Sequence, residues 1–127
     1  MLLLLDTRAF LWWNNDDSAL GPVGRAAIAD SDNVVFVSAA SAWEIATKRA
    51  DGKLDAPGDI ADWVSRDGFI ELAIDIAHAV RSAELPWHHR DPFDRLLVAQ
   101  AQLEDLTLVT NDPEVAKYDA ETLDAST

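Results

Sequence analysis

Asp6, Glu44, Asp94 and Asp112 stand at or near places where a short apolar run gives way to a helix-like one. Asp6 follows Leu2–Leu5, Glu44 lies just beyond Val34–Val37, Asp94 opens Leu96–Ala101 and Asp112 follows Leu106–Thr110. In a parallel α/β sheet the carboxyl ends of the strands face one edge, where ligands bind. Acids placed at such junctions can therefore meet although they are far apart in sequence. Carboxylates without thiolate or imidazole partners are the donor set of hard divalent cations, Mg²⁺ above all. Two such ions would offset four carboxylates and polarise a phosphodiester for attack by metal-activated water.

Each acid also has a local explanation. Ser41-Ala42-Trp43-Glu44 reads as a capping box, with Glu44 returning to the Ser41 amide. Asp91-Pro92 reads as an N-cap followed by proline at the first helical position, which puts Asp94 at the third. Asp112-Pro113-Glu114 repeats that arrangement, and Asp6 can cap the helix after it. The two readings coexist, because a helix N-terminus favours the ionised carboxylate that a metal ligand requires.

The elements that must position these acids alternate in type. Leu2–Leu5, Val34–Val37, Phe69–Ile74 and Leu106–Thr110 read as strands, with Thr122–Leu123 as a weak edge strand. Helical patterns cover Ala9–Trp13, Ala19–Ala29, Ser41–Ala50, Asp59–Asp67, Ile76–Leu85, Asp91–Glu104 and Pro113–Tyr118. Gly52 and Gly68 close two of them. Such alternation predicts one α/β domain over residues 1–127, with a central parallel sheet between two helical layers.

Composition bounds the rest. An apolar share of 49% with five tryptophans describes a packed globule. No cysteine is present, which excludes disulfides and thiolate metal sites and fits a reducing cytoplasm. The N-terminal leucines lack the preceding basic residue of a signal peptide, and no run approaches a membrane span. The formal net charge of -13, from ten basic and twenty-three acidic residues, opposes general nucleic-acid affinity. A phosphate substrate would need a local basic patch, bound metal or a second chain. No G-x-S-x-G, G-x-x-x-x-G-K-[ST] or G-x-G-x-x-G pattern is present. An aspartyl-nucleophile phosphatase would want an acid two residues after Asp6, where Arg8 stands. His88-His89 reads as a polar loop, since adjacent side chains rarely converge on one ion.

Several segments resemble one family in order along the chain. Leu3-Leu4-Leu5-Asp6-Thr7 with Phe10-Leu11-Trp12-Trp13, Ser38–Lys48 (SAASAWEIATK), His89–Ala101 (HRDPFDRLLVAQA) and Leu108–Asp112 (LVTND) are similar to the motifs of PIN-domain proteins. Within that family the likeness is to VapC, the toxin of VapBC toxin–antitoxin modules. The resemblance implies a three-layer α/β/α fold and a Mg²⁺- or Mn²⁺-dependent endoribonuclease. It implies metal binding by Asp6, Glu44, Asp94 and Asp112, with Asp91 in support and Glu114 assisting or replacing Asp112. Thr7 and Ser38 lie near enough to donate hydrogen bonds to the site, and Arg95 and Lys48 are candidates for phosphate contact. It further implies a cytoplasmic homodimer neutralised by a cognate antitoxin, for which Trp12, Trp13 and Trp43 would line an apolar groove beside the acids. Arg8 stands where the family often has histidine, and Val115 where it often has phenylalanine. A catalytically inactive module that binds RNA or protein is the alternative.

Overall fold

A computed structural model describes residues 1–127. Five strands form one parallel sheet: β1 (Leu2–Leu5), β2 (Val34–Ser38), β3 (Ile70–Leu72), β4 (Thr107–Thr110) and β5 (Thr122–Asp124). Their spatial order is β3-β2-β1-β4-β5, so β1 is central and the winding reverses between β1 and β4. Six helices cover the sheet: α1 (Thr7–Asn14), α2 (Pro22–Ala29), α3 (Ala39–Ala50), α4 (Ile60–Arg66), α5 (Ile76–Glu84) and α6 (Pro92–Glu104).

The strands are apolar on both faces because both faces are covered. Leu3, Leu5, Val35, Val37 and Val109 enter a core with Phe10, Ile28, Ile45 and Val64 from α1 to α4. Their neighbours Leu4 and Leu108 point the other way, into a second core with Leu85 and the α6 residues Leu96, Leu97 and Val98. This period-two division is the α/β/α layering expected from the pattern.

Local chemistry sets most helix starts, with three departures from expectation, the first being α1, which begins at Thr7 and not Ala9 because Asp6 caps it. Helix α2 begins at Pro22, not Ala19, because proline suits the first helical position and Gly21 caps it. A side chain at Gly21 would meet the Thr127 backbone, whose carbonyl accepts from the Val23 and Gly24 amides. Helix α3 begins at Ala39 and is capped by Ser38, which accepts from the Ala40 amide. Ser41 and Glu44 thus lie inside the helix, and the Ser41–Glu44 capping box does not form. Ser41 instead accepts a hydrogen bond from Thr7 Oγ1 at 3.1 Å, tying α3 to α1. After β4, the expected helix over Pro113–Tyr118 is a single 3₁₀ turn, Val115–Lys117.

Candidate metal centre

Asp6 and Asp112 flank the reversal of winding, one leaving β1 and the other following β4. Asp6 caps α1, its Oδ1 accepting from the Ala9 amide at 2.7 Å, and its own amide donates to the Val109 carbonyl of β4. Asp91 caps α6 through Oδ1, at 2.8 Å from the Phe93 amide and 3.3 Å from that of Asp94. Asp94, at the third helical position, therefore points from the start of α6. Glu44 enters from the second turn of α3. All five acids line one cleft of about 190 Å³, with Thr7, Arg8, Lys48 and Asn111 among the polar walls.

The cleft is electrostatically strained. Burial pushes the Asp94 carboxyl up to about 7, helped by the negative charges of Asp91, Asp6 and Glu44 and opposed by His89. Burial likewise raises Asp6, although hydrogen bonds from Thr110 and the Ala9 amide act against the rise. Lys48 is ion-paired with Glu44, and that hydrogen bond raises its own pKa. The local cations leave a surplus of negative charge. An all-oxygen donor set carrying such a surplus fits a hard divalent cation. Asp6, Glu44, Asp94 and Asp112 are the lining residues that could hold one.

Other expected participants separate on geometry. Glu114 lies outside the cleft lining and pairs with Lys117 at 2.9 Å, whereas Asp112 is in the lining. Asp112 uses Oδ1 to accept from the Glu114 amide at 2.9 Å, a turn rather than an α-helix cap. Ser38 is buried and donates to Gln100, away from the acids. Arg95 is no phosphate contact: its buried guanidinium donates to the carbonyls of Ser82, Leu85, Pro86 and His89. Burying a guanidinium is tolerable only with its donors so satisfied. Trp12 and Trp13 pack against the core, Trp13 with its ring 5.9 Å from that of Phe69. Trp43 is exposed and meets Phe93 edge-on at 4.8 Å. None of the three tryptophans lines the cleft, whose apolar walls are Leu11, Ile45 and Leu54.

One participant escaped the sequence reading. His89 is not merely part of a polar loop. Its Nε2 lies 2.9 Å from Asp112 Oδ2 and 3.0 Å from Asp94 Oδ2. The available signal was its position two residues before a helix cap. Adjacency to His88 obscured it, and His88 turns away to meet the Tyr118 ring.

A parallel sheet between two helical layers, with a carboxylate cleft at its topological switch point, places the chain among three-layer α/β/α proteins. The chain belongs to the PIN domain family, whose model matches residues 3–121. PIN domains are generally nucleases. No curated protein matches the chain in sequence. Among solved structures, the fold is similar to a chain of VapBC2 from Rickettsia felis, crystallised bound to a DNA fragment from their promoter. The identity is 16% and the TM-score 0.69, over 97% of this chain and 98% of that one. At that identity the likeness concerns the fold.

Proposed function

We propose that this PIN-domain protein is a Mg²⁺- or Mn²⁺-dependent endoribonuclease of the VapC type, the toxin of a type II toxin–antitoxin pair. The observation that carries the reading is the convergence of Asp6, Glu44, Asp94 and Asp112 on one cleft at the switch point of the sheet. A divalent cation held by these carboxylates would supply Lewis acidity toward a phosphodiester and its attacking water. Asp6 and Asp94 are the central ligands, with Glu44 and Asp112 completing the set. Asp91 supports the site by starting α6 and by adding negative charge. Arg8, exposed at the cleft rim, and Lys48 offer the local positive charge that an RNA phosphate needs on a chain this acidic.

The matched VapBC2 complex supports a partner antitoxin, and an acidic cleft suits a basic side chain delivered by it. Exposed Ile76, Val80 and Trp87, on and just beyond α5, favour a homodimer by offering apolar surface to a second copy. No helix is long and apolar enough to cross a membrane, and we place the protein in the cytoplasm. The test is incubation of purified, antitoxin-free protein with a broad RNA panel and Mg²⁺ or Mn²⁺. Cleavage that chelation stops is the expected result. RNA that is bound but left intact would turn the reading toward an inactive binding module.

A further inference from the structure

His89 touches two acids of the cleft, Asp94 and Asp112, and is held from several directions. Its amide donates to the Tyr118 hydroxyl at 2.9 Å. Its carbonyl accepts from Arg95 Nη1 at 3.2 Å. The same Arg95 nitrogen is 3.2 Å from the Tyr118 hydroxyl, which donates to the Pro86 carbonyl at 2.7 Å. This buried Arg95–Tyr118 pair therefore fixes the backbone of the loop before α6. The ring is then fixed by its own nitrogens. Nδ1 lies 3.1 Å from the Asp91 amide, which can only donate, so Nδ1 accepts and carries no proton. The ring proton must then sit on Nε2, which donates to Asp112 Oδ2 at 2.9 Å and has Asp94 Oδ2 at 3.0 Å. Those carboxylates come from separate elements, α6 and the loop after β4, and their mutual placement is not set by either backbone alone.

We propose that His89 is a positioning residue of the cation site: its Nε2–H donates to Asp112 and packs that carboxylate against Asp94, while Arg95 and Tyr118 hold the loop that carries it. The inference rests on the metal-centre reading above and adds a residue to it. Partners that orient ligating carboxylates typically matter 10–100-fold in metal affinity. The donated proton also means that His89 orients the ligands without itself binding the ion.

The test begins with the unmodified protein. Nitrogen-15 NMR of the metal-free chain should show the Nε2–H tautomer for His89, and an Nδ1–H tautomer would overturn the proposal. With Mn²⁺ bound, electron spin-echo spectroscopy should show no directly coordinated imidazole nitrogen; a coordinated one would make His89 a ligand and reject the positioning role. His89→Leu, checked for intact fold by circular dichroism, should raise the Mn²⁺ dissociation constant by about 10–100-fold. His89→Gln places an amide N–H near the position of Nε2–H and should recover most of that loss. Both variants remove the acceptor of the Asp91 amide, so their difference isolates the tie to the carboxylates. Unchanged affinity in His89→Leu, or no recovery in His89→Gln, overturns the positioning role alone. A wild-type protein that binds no Mn²⁺ overturns the metal centre itself.

Discussion

His78 and His89 stand in near-identical local settings. Each accepts on Nδ1 from the amide of a helix-capping aspartate at 3.1 Å, Asp75 for α5 and Asp91 for α6. Each faces a carboxylate with Nε2 at 2.9 Å, Glu104 in one case and Asp112 in the other. Both trios bring a potential ligand atom from each residue within 4.8 Å of the others. Their surroundings differ. Asp75 and Glu104 have side chains 60% and 43% exposed, while those of Asp94 and Asp112 are 20% and 30% exposed. Around His78 the remaining neighbour is Gln100, whose amide donates to the Ala73 carbonyl at 3.2 Å and lies 3.4 Å from Nδ1. Beside Asp94 and Asp112 the cleft holds three further acids, Asp6, Glu44 and Asp91. A histidine between two carboxylates is thus an ordinary way to satisfy a buried ring. Converging, half-buried like charges make the difference, because their surplus is relieved only by a retained proton, as on Asp94, or by a bound cation.

Asp6→Ala or Asp94→Ala should lower Mg²⁺- or Mn²⁺-dependent RNA cleavage by more than about 100-fold with the fold retained, since loss of a ligand should exceed loss of its supporting partner. Asp75→Ala and Glu104→Gln should leave the rate within about two-fold, because supporting effects of that kind arise at a metal site and their trio lies outside it. Equal losses at both trios, read in one cleavage assay, would erase the distinction.

Acidity sharpens it next. The folded state holds the Asp94 proton up to about 7, above the ordinary value of 3.8, so folding favours the protonated form. Stability of the metal-free protein from this group is therefore fully present below about 4 and lost as pH rises through about 7. Thermal melting should follow that fall, and Asp94→Asn should raise the metal-free melting temperature at pH 8 by a few degrees. Because the cation must displace this proton, Mn²⁺ affinity measured by calorimetry should rise with pH across the same range. Flat profiles would show that the cleft carries no surplus of negative charge.

Smaller effects separate structure from chemistry. His78→Leu leaves the Asp75 amide without its acceptor and Glu104 without its ring partner, costing about 1–3 kcal/mol in chemical denaturation while cleavage persists. Smallest of all, Glu114→Gln removes a surface pair with Lys117 worth about 0–1 kcal/mol and should leave metal affinity unchanged. A fall in affinity there would return Glu114 to the ligand set in place of Asp112.

Much of this was legible locally. Strands β1, β2 and β4 fall within a residue of the apolar runs that announce them, because a strand buried on both faces needs an unbroken apolar segment. Asp91-Pro92 marked the start of α6 correctly, since proline and a capping side chain act within one turn. Ser41–Glu44 misled for the converse reason. The pattern satisfies a cap locally, but the β2 backbone runs directly into α3, so Ser38 reaches the free amides first. Edge strand β3 is only Ile70–Leu72, shorter than the apolar run around it, because a single neighbour, β2, limits its pairing.

The sequence by itself determined the alternation of strands and helices, the apolar faces and the placing of acids at their junctions. These depend on periodicity and on contacts within a turn or two. Tertiary structure decided which acids share a cleft. Placing β1 between β2 and β4 brings the ends holding residues 6 and 112 together across more than a hundred residues. It also decided that Asp112 faces the cleft while Glu114 faces Lys117, that Arg95 serves the loop and that His89 completes the cluster. Those outcomes follow from strand order and from the direction in which each helix leaves its strand, and neither is written in any local pattern.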